Sequence, residues 1–271
     1  MSSSGVRGIV QAMHEWNAAT YHRVSDPQVE WGVAVLARLP LEGDELVADV
    51  GCGTGRLTEK LLHRLPRGRV IALDLSGNMV HAAREHLAGT FGSRVEFVQA
   101  DASALPLAGT ADAIFSTATF HWVLDHPLLF KSLHAALKPG GRLVAQCGGV
   151  RNIQRVRDRC SALASQAEFS DHLGGWTGPW HFADPEATAA SLRGAGFVDV
   201  KTSVESNPFV PVDADAFREF VTTVVCRRHL DRLPDNALRD RFMDALTEQA
   251  AQDDPPYELD YWRLNLEGRR L

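Results

Sequence analysis

Cysteine is scarce in this chain: Cys52, Cys147, Cys160 and Cys226 are the only four in 271 residues, with no C-x-x-C pair and no metal-ligand spacing. That excludes a disulfide-stapled scaffold and fits a reduced, cytoplasmic protein. No run approaches the ~18 apolar residues that suggest a membrane span, and Met1–Gly8 lacks the apolar centre of a signal peptide, so no membrane partner is expected. Excess positive charge is missing as well. The formal net charge is −6 and the isoelectric point is near 6.0, whereas nucleic-acid affinity rests on a basic face that neutralises phosphates. The local basic clusters, Arg151 to Arg159 and Arg227-Arg228, read as solvated helix faces. Eleven histidines contain no H-x-x-x-H pair, and no acidic cluster suits magnesium, so no metal is expected. Internal repeats and low-complexity tracts are absent too.

What is present is enough apolar material, 45% of residues, for one α/β domain with an added cap. Val47-Ala48-Asp49-Val50 is a buried-strand run that breaks into Gly51-Cys52-Gly53-Thr54-Gly55 and restarts as an amphipathic helix at Arg56. Glycines at every second position let the backbone turn sharply and approach a ligand. Arg69–Asp74 predicts a second strand ending in an acid about 20 residues after the turn, the separation at which a carboxylate grips ribose hydroxyls. Val95 to Ala102 predicts a third strand with Asp101 near its end, and Ala113–Ala118 a fourth. Strand and helix alternate through residue 150, the pattern of a parallel sheet with helices on both faces. In such sheets ligands sit beyond the carboxyl ends of the strands, where Gly51, Asp74, Asp101 and Thr117 converge. Ahead of this core, residues 9–23 and 26–39 predict helices. After it, the alternation stops.

A dinucleotide fingerprint would need a third glycine where this chain has Arg56. The order D-x-G-x-G-x-G led by Asp49 instead resembles motif I of the class I S-adenosylmethionine (SAM)-dependent methyltransferases, and Leu137-Lys138-Pro139-Gly140-Gly141-Arg142-Leu143 resembles their motif III. Trp16-Asn17, Tyr21, Phe120-His121-Trp122-Val123 and Asp125-His126 look most like the trans-aconitate methyltransferase group and related small-molecule enzymes. The resemblance is specific over residues 45 to 150. It implies a Rossmann-like, seven-stranded, mostly parallel sheet with an antiparallel last strand, and helical lid insertions. The chain then divides into an N-terminal helical cover (1–44), a SAM-binding core (45–150), lid insertions at 151–184 and 207–257, and a last strand (258–271) that begins at Glu258.

The resemblance also implies a cofactor site. Asp49, Gly51, Cys52, Gly53 and Gly55 would hold the methionine end, with Trp16 and Tyr21 above it. Asp74 would take the ribose hydroxyls and Asp101 the adenine amino group, Met79 would lie against the adenine or belong to the core, and Leu75, Ala102 and Thr117 would complete the cofactor site. Cys52 reads as a small packing residue, because methyl transfer from a sulfonium needs no covalent enzyme intermediate. His121 is placed either to take a proton from an acceptor hydroxyl or to shape the pocket wall. Trp122, Trp176, Trp180, Phe182 and Arg227 are the further acceptor-binding candidates, Arg227 because a guanidinium can hold a carboxylate bidentately. The expected reaction is direct in-line O-methylation of a carboxylate or hydroxyl of a small molecule. C- or N-methylation of a larger apolar metabolite is the runner-up, and a non-catalytic SAM-binding protein is the alternative of another class. A monomer or homodimer is expected.

Overall fold

Val47, Ala48, Asp49 and Val50 are all buried, as are Val70 to Leu73 and Ala113 to Ser116. Strands covered on both faces lose the alternation of apolar and polar residues and read as continuous apolar runs. The computed structural model describes residues 15–24 and 26–271, so residues 9–14 of the expected first helix lie outside the described residues. In chain order the elements are α1 (Ala18–Val24), α2 (Asp26–Ala37), β1 (Leu46–Val50), α3 (Arg56–His63), β2 (Arg69–Asp74), α4 (Gly77–Phe91), β3 (Val95–Gln99), β4 (Ala111–Thr117), α5 (His126–Ala136), β5 (Leu137–Gly148), α6 (Gln154–Ala164), α7 (Ser170–Leu173), α8 (Pro185–Gly194), β6 (Phe197–Ser206), α9 (Ala214–Phe220), α10 (Arg227–Leu230), α11 (Asn236–Ala250) and β7 (Trp262–Arg270).

The strands form one seven-stranded sheet in the order β3-β2-β1-β4-β5-β7-β6, with the last strand antiparallel to the rest. β1 pairs in parallel with β2 through Val47↔Val70 and with β4 through Val47↔Ala113. One face of the sheet packs Val47, Val70, Ala72, Ala113 and Phe115 against Leu36 and Leu39 from the α2 side, Leu61 and Leu62 of α3, and Leu87 of α4. The other face packs Ala48, Val50, Ile71, Leu73 and Ile114 against Leu129, Phe130 and Leu133 of α5 and Leu192 of α8. Each fully buried leucine contributes about 1.5–3 kcal/mol of transfer free energy. Asp125 caps α5 by accepting from the Leu128 N–H at 2.9 Å, and Asp184 caps α8, which opens on Pro185.

By internal packing the chain divides into two units. The first comprises the chain up to Val150, residues 181–204 and residues 264–271; the second comprises residues 151–180 and 205–263. The second unit is mainly helical around Phe169, Phe217 and Phe242, with Phe169 edge-on to Phe242 at 5.3 Å. The π-helical segment Val221–Val225 joins α9 to the turn before α10.

Several element boundaries differ from expectation: the first helix starts at Ala18, so residues 15–17 are not helical, the second ends at Ala37, and β4 spans Ala111–Thr117. β3 ends at Gln99, and Asp101 instead caps the short turn Ala102–Ala104. The last strand was expected from Glu258, yet β7 starts at Trp262. Leu259 exchanges backbone hydrogen bonds with Phe209 at 2.8 and 3.0 Å, an isolated antiparallel bridge in the second unit. The alternation of Glu258 to Asp260 therefore marks a separate pairing and not the start of the strand.

Candidate active site

At the end of β1 the chain must leave the sheet and start α3 within five residues. Gly51, Gly53 and Gly55 all have positive φ (+81°, +55° and +85°), a region that a Cβ disfavours. At Gly51 space is closed as well: a Cβ there would lie 1.9 Å from Thr119 Oγ1. The Gly51 and Cys52 N–H groups donate to the Leu73 carbonyl at 2.7 and 2.9 Å, tying the turn to the end of β2. α3 then buries Thr58, Leu61 and Leu62 on one side. Thr58 is the polar member of that face, and its hydroxyl donates to Asp49 Oδ2 at 2.6 Å.

Asp49 is 2% exposed. Burial pushes its carboxyl up to about 7; the Thr58 hydroxyl pulls it back down, and neighbouring Asp74 adds repulsion. Asp74 accepts from the Gly53 N–H at 3.0 Å and the Ser76 N–H at 2.9 Å. Although partly open, Asp74 is pushed up to about 6, chiefly because surrounding protein displaces its water, against the pull of those amides. Two carboxyl groups thus share one corner of the sheet, both disfavoured as anions. A cation placed there would relieve both. Cys52 lies beside them, and burial followed by repulsion from Asp74 and Asp49 pushes its thiol well above the ordinary range, opposite to a reactive thiolate.

Around this corner, Leu75 exposes 41% of its surface next to Asp74, and Met79 is buried on α4. Asp101 is exposed and accepts from the N–H and hydroxyl of Ser103 at 2.8 and 2.6 Å; Ala102 beside it is buried. Thr117 ends β4 in register with Gln146, and the next residue, Ala118, holds a positive φ of +54°. Non-glycine residues in that region cost about 1–3 kcal/mol and cluster at functional sites.

Glu15 supplies a clamp that was not foreseen. Its carboxylate accepts from the Ser76 hydroxyl at 2.8 Å and from the Gly77 and Asn78 N–H groups at 3.1 and 3.0 Å, at the positive end of α4. This fixes Trp16, whose N–H donates to Ser76 Oγ at 3.3 Å and whose ring stands edge-on to Trp122 at 5.5 Å. Tyr21 lies in α1, but its side chain falls outside the described residues.

Trp122 continues to His121 at 5.2 Å, and His121 stacks on Phe182 at 5.6 Å. Four of the predicted residues, Trp16, Trp122, His121 and Phe182, therefore form one aromatic chain. His121 is 8% exposed, and its Nδ1 accepts from the Gly148 N–H at 3.2 Å. An Nδ1 that accepts carries no proton, so the neutral ring holds its proton on Nε2. Behind it stands a second pair: His126 and His181 stack at 4.1 Å, with His126 Nε2 donating to Phe120 O at 3.1 Å and His181 Nδ1 to Leu124 O at 3.1 Å. The His181 N–H also donates to His121 O at 2.8 Å. These bonds hold the 120–124 loop from both ends. Burial, then repulsion from His181, lowers His126 to about 4, so it stays neutral at ordinary pH.

Trp176, Trp180 and Arg227 belong to the second unit. Trp176 packs on His229 at 4.7 Å with the Arg232 guanidinium over its ring at 4.2 Å, and Trp180 packs on His229 at 5.4 Å. Arg227 lies 3.9 Å from Asp231 one turn on.

Residues 47–141 match the family described as a methyltransferase domain. The chain is 35% identical over 238 residues to the trans-aconitate 2-methyltransferase of Paracidovorax citrulli, covering 82% of this chain and 84% of that one. In fold it resembles Haemonchus contortus phosphoethanolamine N-methyltransferase 2, solved with S-adenosylhomocysteine (TM-score 0.61, 18% identity, 93% of this chain and 56% of that one). It also resembles the [4+2]-cyclase SpnF (TM-score 0.60, 20% identity, 89% and 81%), so the fold alone does not select a reaction. Among the described residues no helix is long and apolar enough to cross a membrane. The sheet order, the acid-flanked glycine turn and similarity over most of its length agree: the chain belongs to the class I SAM-dependent methyltransferases, in the group that includes the trans-aconitate 2-methyltransferases.

Proposed function

We propose that this enzyme transfers the SAM methyl group to a carboxylate oxygen of a small acid, giving a methyl ester and S-adenosylhomocysteine. The observation that carries this reading is the similarity to a trans-aconitate 2-methyltransferase across 82% of the chain. The state of His121 supports it. A carboxylate, with an ordinary pKa near ~4, is already ionised at neutral pH and attacks without a base. A hydroxyl must lose its proton, and His121 as held by Gly148 presents N–H on Nε2 and would have to give up that backbone bond to act as a base. His121 then shapes the wall of the acceptor pocket and takes no proton.

On the cofactor side, Asp49 attracts the ammonium of the methionine end, and Asp74 accepts from the ribose hydroxyls while its other bonds hold the glycine turn. Met79 and Leu75 face the adenine, and Asp101 its amino group. The sulfonium is already a good leaving group, so the chain acts by alignment and exclusion of water, where orientation can supply up to ~7–11 kcal/mol.

The test is to incubate the purified protein with SAM and a panel of small carboxylic acids, including trans-aconitate, alongside phenols and amines. S-adenosylhomocysteine and product mass are measured. Methyl esters from acids are expected. Turnover confined to phenols, amines or apolar acceptors would overturn the carboxylate assignment and leave the methyltransferase assignment standing.

A further inference from the structure

The second unit holds a cluster that methyl transfer does not use. Cys160 lies on α6, while Cys226 and His229 lie on the turn that follows the π-helical segment Val221–Val225. The two sulfurs and one imidazole nitrogen all lie within 4.8 Å of one another, and the sulfurs are 3.6 Å apart. Cys160, Cys226 and His229 are only 3%, 0% and 5% exposed. Within this enclosure His229 Nδ1 has no hydrogen-bond partner. A buried polar atom left this way is costly and asks for a ligand. The rings of Trp176, Trp180 and Phe242 pack around the imidazole at 4.7, 5.4 and 6.1 Å, with the Arg232 guanidinium over the Trp176 ring.

We propose that Cys160 Sγ, Cys226 Sγ and an imidazole nitrogen of His229 bind a thiophilic divalent d10 cation of the zinc type. Thiolate and imidazole are the donors that such ions take, and a zinc held by three protein ligands completes its tetrahedron with a water. On binding, each thiol loses its proton to solvent as its sulfur bonds to the metal. Two thiolates and a neutral imidazole around a dication make a complex of zero net charge, the charge state that a buried site holds most cheaply. Cys226-Arg227-Arg228-His229 supplies two ligands from one helical turn, and Cys160 supplies the third from 66 residues away. The cation would cross-link α6 to the 226–229 turn within the second unit.

The experiment strips the full chain with a chelator under reducing conditions and adds Co2+ as a spectroscopic probe, then Zn2+ with the melting temperature followed. One equivalent should bind, with a thiolate-to-cobalt charge-transfer band that is lost in C160S and in C226S and kept in C147A. Zn2+ should raise Tm and a chelator should reverse the rise. No band and no Tm response in folded wild-type protein would overturn the proposal, as would a band that persists in the C160S/C226S double variant. So would a Cys160–Cys226 disulfide as the resting species of protein isolated from a reducing cytosol. If the serine variants fail to fold, the chelator response of the wild type decides alone.

Discussion

Asp49 is held at the end of β1 by a single hydroxyl at 2.6 Å, with another carboxyl close by. An amide of the same shape keeps an acceptor for Thr58 and removes the charge. D49N is therefore expected to fold, and to lose the charge-assisted attraction for the SAM ammonium, worth about 1.5–3 kcal/mol or roughly 10- to 150-fold in Kd. Calorimetric titration with SAM reads this directly, and an unchanged Kd would refute the assigned role. At His121 the expected effect of H121A is a higher KM for the acid acceptor with the shape of the pH–rate profile unchanged. A pH limb that disappears in the variant would restore the base reading. Asp49 and Asp74 were legible because acids at strand ends on either side of a glycine turn form a local pattern. Thr58 left a fainter signal, a polar residue on the apolar face of α3. Glu15 left none, since its partners lie 61 or more residues away in the chain, and nothing local in the sequence showed that His126 stacks on His181, 55 residues on.

The joint between β1 and α3 is the element on which the site depends. G51A would force a Cβ onto Thr119 and hold alanine at φ +81°. A loss of at least about 1–3 kcal/mol is expected, because the backbone strain alone is of that size. Denaturant unfolding measures it, and the T119A double variant should recover only the part due to the clash. Helices and parallel strands up to residue 150 were legible because period and turn chemistry agree there, with Ser76 and Asp125 each serving as caps. The final strand was placed four residues early because Leu259 satisfies the same alternation through a different partner, Phe209. Local pattern shows that a segment is extended; it does not say with which neighbour.

Across the whole molecule, the two carboxyls at the glycine turn tie stability to pH. Asp49 at about 7 and Asp74 at about 6 both stand above their ordinary value, so the folded apoprotein retains protons that the unfolded chain releases. That stabilisation is complete below the ordinary carboxylate pKa and is lost as pH rises towards 7. D49N lacks the Asp49 part of this dependence, so the Tm difference, D49N minus wild type, should grow between about pH 4 and about pH 8. SAM should show the complementary trend, since its cation favours the ionised acids. Its thermal shift is expected to be larger near pH ~8 than near pH ~5. A thermal-shift series at constant ionic strength checks both, and a flat series would refute the coupling.

The sheet order sets a timetable as well. β6 is made before β7, yet β7 lies between β5 and β6. A growing chain can assemble β1 to β5 and their helices early, but β6 has no place beside β5 until residues 262–270 have been made. During that interval β5 and β6 each present an unpaired edge to the cell, the condition under which strands find wrong partners. Yield in the cell should thus depend on how quickly synthesis passes from β6 to β7, a stretch that includes most of the second unit.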